Sequence, residues 1–132
     1  MLTGWPDCRF VVKPALQRMA DGSGGRFLVE DIEAALADGR MQVWCLDSTD
    51  AGTPDCVLVT EVLSYPRLRA FRLIGFVGQH PRRWLHWLAW LEDVARRDFK
   101  CDRMEAFAPP GDERMLTTGG WTTWHILTEK RL

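Results

Sequence analysis

Residues 81–100, PRRWLHWLAWLEDVARRDFK, constrain the fold more than any other stretch of this chain. Projected at about 100° per residue, Trp84, Trp87, Leu88, Leu91, Val94, Ala95 and Phe99 share one broad face. Arg82, His86, Asp93, Arg96 and Arg97 share the opposite one. Pro81 suits the first helical position, where a missing N–H costs nothing. Twenty helical residues make a rod of about 30 Å, long enough to cross a whole sheet. Such a rod buries its apolar face only if a sheet is there to meet it.

The flanking segments supply the strands. MQVWCLDS (41–48), CVLVTEVLS (56–64) and LRAFRLIGFVG (68–78) carry the composition of strands, and the link YPR (65–67) is short enough to make the last two an antiparallel hairpin. The third alternates Arg69 and Arg72 with apolar residues, then becomes wholly apolar. After the long helix, CDRMEAFA (101–108) reads as a strand, and residues 111–118 as a short helix ending at Gly119-Gly120. WTTWHILTEKRL reads as a closing strand, with Trp124, Ile126 and Thr128 alternating against His125 and Leu127.

Ahead of the strands, FLVEDIEAALADGR sets Val29, Ile32 and Leu36 at helical spacing, with acids in the first turns and Gly39 as the stop. A shorter helix is expected to begin at Pro14, within a loosely determined segment 1–27. The expected order is helix–helix–β–β–β–long helix–β–helix–β. This is an α/β (α+β) domain with a mixed sheet, spanning 1–132.

A chain of 132 residues with 46% apolar and 27% charged side chains fits one ordinary globular domain. The net charge of −1 hides a split. Residues 1–63 carry five basic and ten acidic side chains, and residues 64–104 nine basic and four acidic. A positive middle segment attracts phosphates or acidic partners, although a solvated face has the same composition. Cys8, Cys45, Cys56 and Cys101 form no C-x-x-C pair and have no His at ligand spacing, which argues against zinc. Cys45 and Cys56 flank a turn and are expected near one another. The N-terminus lacks a signal-peptide core and no apolar run reaches the ~20 residues of a membrane span, so a cytoplasmic protein with reduced thiols is expected.

The element order resembles that of the GCN5-related N-acetyltransferase (GNAT) fold over roughly residues 28–132. The tail GGWTTWHILTEKRL is similar to the family's ending, and FVGQHPRRWLHWLAWLEDVARRDFKCDRMEAFA resembles small phage and prophage members. The resemblance implies an N-acyltransferase that takes acetyl-CoA and an amine acceptor. It also implies a first strand, which CRFVV (8–12) would supply. By the same resemblance the coenzyme lies where the third strand meets the long helix, on Phe76, Val77, Gly78, Gln79, Arg82, Arg83 and Trp84.

The departures are specific. The family's Gln/Arg-x-x-Gly-x-Gly/Ala loop is replaced by Gly78-Gln79-His80-Pro81-Arg82-Arg83. The helix start and its anion preference are kept, the phosphate-hugging glycines are lost, and Arg82 and Arg83 offer charge in exchange. The positions of the family's asparagine and tyrosine hold Pro109 and Leu116.

Acyl transfer to an amine needs a proton acceptor. Glu61, inside the apolar run LVTEVL, is the first candidate, since burial raises a carboxyl pKa; Glu105 is the second. A structural Glu61, paired with Arg69 or Arg72 across the hairpin, is the competing reading. Among the tryptophans, Trp84 and Trp87 belong to the packed face, while Trp90 at its margin is placed to meet a protein partner. Two further function classes stay open: a GNAT-fold binding or virion-associated module without activity, and a small nucleic-acid-binding protein using YPRLRAFRLIGF. The balance of 17 basic to 18 acidic residues disfavours the last.

Overall fold

The computed structural model describes residues 5–48, 54–78 and 81–132, and the side chains of 11–46, 56–78 and 84–132. In chain order the elements are α1 (Trp5–Asp21), α2 (Val29–Ala37), β1 (Met41–Ser48), β2 (Pro54–Ser64), β3 (Arg69–Gly78), α3 (Pro81–Arg97), β4 (Arg103–Ala106) and α4 (Pro110–Thr118). The strands form one sheet in the order β1-β2-β3-β4, antiparallel except for the parallel β3–β4 pair. The long helix α3 makes the crossover between that parallel pair, as the chain order requires.

Each face of the sheet carries a helical layer. Val12, Leu16 and Met19 of α1 and Ile32 and Leu36 of α2 cover Met41, Val57 and Val59. Leu88, Leu91 and Val94 of α3 and Leu116 of α4 cover Trp44, Leu58, Phe71 and Leu73. Trp84 and Trp87 pack against this second cluster, and Trp90 stays 37% exposed with its ring edge-on to Trp44 at 5.8 Å. The buried Thr60 is fully used: Trp44 Nε1 donates to its hydroxyl (2.8 Å), which donates to Gln42 Oε1 (2.9 Å).

Four expectations change. CRFVV is not a strand, and the first helix does not begin at Pro14: α1 runs through both from Trp5. Val12, Ala15, Leu16, Met19 and Ala20 fall on one buried stripe, and burying it outweighs both the β-branched pair Val11-Val12 and the proline inside the helix. The long helix stops at Arg97, not at residue 100. Lys100 takes a left-handed φ of 56° and Cys101 N–H reaches back to the Ala95 carbonyl (2.9 Å), a C-terminal cap of the Schellman type. Cys45 and Cys56 are near one another, as expected: Cys45↔Val57 and Leu46↔Cys56 set them one register step apart on neighbouring strands, with their side chains on opposite faces. Residues 121–132 take no regular structure. Their alternation suits a strand, but among the described residues no neighbouring strand accepts their hydrogen bonds.

Candidate functional site

The site starts from a phase slip in β3. Consecutive β2 residues Val59 and Thr60 face Gly75 and Leu73, so Ile74 has no opposite number. Before this bulge Phe71 and Leu73 point to the α3 layer; after it Phe76 does, three residues on instead of two. A bulge bends its strand, and the ladder to β4 ends at this place, with Leu73↔Ala106 as its last pair. Gly75–Gly78 stay paired with β2 on one side, and Ile74–Gly78 meet no backbone partner on the other among the described residues. The result is a notch between two diverging parallel strands.

The notch has defined walls. Gly75 lets α1 approach closely, because a Cβ there would sit 2.8 Å from Met19 Cγ. Phe76 stands edge-on to Trp84 with ring centroids 4.7 Å apart, joining the strand to the start of α3. The Trp84 and Trp87 indole N–H groups are buried without an acceptor, an arrangement that costs free energy. α3 begins at Pro81, three residues after Gly78, so its free N–H groups lie at the end of the notch. Of the residues expected to hold a coenzyme, Phe76, Val77, Gly78 and Trp84 are therefore gathered at this corner. Gln79 and His80 lie outside the described residues, as do the side chains of Arg82 and Arg83 in the first turn of α3.

The two candidate bases are also brought together. Register places Glu61 opposite Arg72, and Arg72 opposite Glu105, so the three form a row across β2, β3 and β4. Strand alternation turns that row away from the α3 layer. Arg72 does not choose Glu61. Its Nε and a terminal nitrogen both donate to Glu105 Oε1, at 2.9 and 2.6 Å, and its guanidinium lies over the Phe107 ring at 4.8 Å. Arg69 is engaged elsewhere, with the Phe99 carbonyl (2.8 Å). The half-buried Glu61 carboxylate thus has no hydrogen bond or ion pair among the described residues, and it borders an open cavity of about 430 Å³ with Arg40, Gln42, Leu63 and Phe99. That cavity lies where Glu61 faces Met41, one register step from the bulge.

Two residues that the sequence did not single out join this picture. Tyr65, in the β2–β3 turn, donates its hydroxyl to Glu105 (2.8 Å) and accepts from Arg72 (3.1 Å). The bond to the Glu105 carboxylate, with some burial, raises the phenol above its ordinary pKa, against the pull of Arg72. Asp112, in the first turn of α4, is half-buried, and desolvation pushes its carboxyl upward. It shares a helical face with Met115 and Leu116, one turn ahead of them. Tyr65 is the chain's single tyrosine, which was its signal; Asp112 had none beyond its place at a helix start.

Asp112 carries a pH signature. The native state holds this proton more tightly than the unfolded chain does, so its contribution to stability falls as pH rises through the carboxylate range into the raised value. Asp112→Asn removes that loss. Its melting temperature relative to the parent should therefore be higher at neutral pH than in acid below the unfolded carboxyl pKa of about 3.9. Paired thermal melts at the two pH values check this, and a difference independent of pH counts against it.

Pro109 and Leu116 settle two further positions. Pro109 is exposed as the N-cap of α4, and Leu116 is a 4% exposed core residue. Neither offers a proton. His86 is solvent-facing beside Trp87, and His125 lies exposed next to Trp124. Among the described residues no His, Cys, Asp and Glu side chains cluster as a metal site, and no helix is long and apolar enough to cross a membrane.

By sequence, no family model and no curated protein matches the chain. By structure, it is similar to a probable acetyltransferase (TM-score 0.72, 11% identity, covering 96% of this chain and 91% of that one). It is also similar to a predicted acetyltransferase with acetyl-CoA from Clostridium acetobutylicum (0.71, 12%, 99% and 94%). A third is glucosamine-6-phosphate N-acetyltransferase from Arabidopsis thaliana (0.70, 11%, 99% and 95%). At such identities the likeness is one of fold, and it runs nearly end to end: the chain has the GNAT acetyltransferase fold.

Proposed function

We propose that this chain is an acyl-CoA-dependent N-acyltransferase of the small, phage-encoded kind, acting on an amine. The observation that carries the reading is the notch. β3 breaks from β4 at Leu73↔Ala106, leaving five strand residues with a free edge that runs straight to a helix N-terminus. A free strand edge fits an amide-bearing arm, and a helix start fits phosphate. The residues of this corner therefore suit acetyl-CoA. Ile74–Gly78 would bond the pantetheine amides, Phe76 and Trp84 would wall the arm, and the first turn of α3 with Arg82 and Arg83 would meet the phosphates.

Acetyl-CoA, when bound, supplies the acyl thioester. The protein's part is to position the amine and remove its proton. Glu61 suits that role, being a carboxylate without an internal partner one register step from the bulge. Glu105 already accepts from both Arg72 and Tyr65, which makes it a holder of Arg72 and a less available base.

A non-catalytic binding module is the second reading, favoured by Pro109 and Leu116 where the resemblance implies an asparagine and a tyrosine. Calorimetric titration with acetyl-CoA tests the shared premise. Micromolar binding is expected, weakened about 10- to 100-fold in Arg82→Ala/Arg83→Ala by the loss of charge-assisted hydrogen bonds. No heat at millimolar ligand removes the coenzyme reading. Binding without turnover across an amine screen selects the module.

A further inference from the structure

The bulge at Ile74 bends β3, but it does not hold β4 up to the point where the two strands part. Four residue pairs join them, from Ala70↔Arg103 to Leu73↔Ala106. So short a parallel ladder frays easily at its end. At the pair before the last, the side chains add a bridge on the face turned from α3. Arg72 donates twice to Glu105 Oε1, from Nε at 2.9 Å and from a terminal nitrogen at 2.6 Å. Phe107, the first residue beyond the last pair, lays its ring over the same guanidinium at 4.8 Å. The chain of β4 is therefore held to β3 slightly past the end of the ladder.

Tyr65 joins the bridge from a third segment. The β2–β3 turn that carries it is closed by its own N–H on the Leu68 carbonyl (2.8 Å). Its hydroxyl donates to Glu105 Oε1 (2.8 Å) and accepts from Arg72 (3.1 Å), so it bonds both members of the pair at once. A lone ion pair this open to water contributes little. A third group bonded to both partners makes a network with one preferred geometry.

We propose that Tyr65 is a positioning residue: it locks Arg72 to Glu105 and so fixes where β3 and β4 part at the head of the notch. The consequence for turnover rests on the acyltransferase reading. A coenzyme arm running along Ile74–Gly78 from phosphates at the start of α3 brings its thioester to that head. A displacement of about 1 Å there is enough to cost about 10²-fold in rate. The phosphates lie at the far end of the notch, beyond the bridge. Loosening the bridge should therefore lower kcat and spare coenzyme affinity.

Amide hydrogen exchange of the free protein decides the first step. Tyr65→Phe keeps the ring and removes only the hydroxyl. Exchange in residues 103–106 should accelerate about 10-fold or more, the size of a lost hydrogen bond to a charged group, while residues 56–60 of β2 keep the parent's rates. Arg72→Lys keeps the charge and loses the fork, and should act alike. The double variant should add little to the worse single one, because both act through one bridge. Unchanged exchange in 103–106, equal acceleration across the sheet, or additive effects in the double variant overturns the proposal. Steady-state kinetics with acetyl-CoA and an accepted amine follow. In Tyr65→Phe kcat should fall about 10-fold with the acetyl-CoA dissociation constant within about twofold. Selective loosening of β4 with kcat unchanged overturns the positioning role. A parent that binds no acetyl-CoA defeats the acyltransferase reading instead, and the bridge is then judged by exchange alone.

Discussion

Glu61→Gln is expected to slow acyl transfer about 10²- to 10³-fold while leaving the acetyl-CoA dissociation constant within about twofold, the range in which a positioned general base acts. Glutamine keeps the shape and removes the proton acceptor. The separation of rate from affinity follows from placement. Glu61 lies in β2 with Arg72 as its register partner, outside the stretch Ile74–Gly78 that would bond the coenzyme. Because Arg72 is committed to Glu105, the substitution strands no cation. Loss of activity in Glu61→Gln would therefore not be a folding defect, and an unchanged melting temperature is part of the prediction. Glu105→Gln is the contrast. It frees Arg72 and Tyr65 from their shared acceptor, so it should lower stability as well as rate. An unchanged rate in Glu61→Gln, measured by release of free thiol, transfers the base role to Glu105 or to a histidine.

The pair Glu61–Arg72 was within reach of the sequence, and the way it resolves was not. The turn at 65–67 fixes which residues face each other across the hairpin, and counting back from it puts Glu61 opposite Arg72. That Arg72 turns to Glu105 instead depends on β4, which arrives after a helix and pairs non-locally. The bulge at Ile74 was hidden for another reason. In RLIGFVG both faces are apolar, so a phase slip leaves no mark on the pattern. The long helix was legible because one stripe of large residues runs its length. Its end was not, since Lys100 takes the left-handed cap that usually advertises itself as glycine. Local pattern also misjudged both termini. A strand is a claim about a neighbour, and neither CRFVV nor residues 122–131 has one among the described residues.

The fold beneath the site has a single aromatic keystone, and Phe71→Ala is expected to cost about 3–5 kcal/mol. Phe71 is 0% exposed in the middle of β3, with Trp44 edge-on at 6.3 Å and Phe99 at 5.0 Å. Trp44 in turn meets Phe99 and Trp90, so four rings from β1, β3, α3 and the loop after it form one connected cluster. Truncation removes the buried area, opens a cavity the neighbours cannot fill, and forfeits an edge-to-face contact with Trp44 and a tilted one with Phe99, ring pairs of a kind worth about 0.5–1.5 kcal/mol each. Against a domain stability of about 5–15 kcal/mol, that is a fifth or more. Urea denaturation should show the midpoint falling by about 2 M with the slope unchanged. Phe71→Leu should lose less than half as much, because most of the volume survives. The neighbouring residue makes the result informative about function: Arg72 points to the opposite face of the same strand. If the folded fraction of Phe71→Ala keeps its acetyl-CoA affinity, the notch is held by the bulge and by Met19 against Gly75. If affinity falls with stability, the ring cluster is what keeps β3 and α3 at the angle the notch requires.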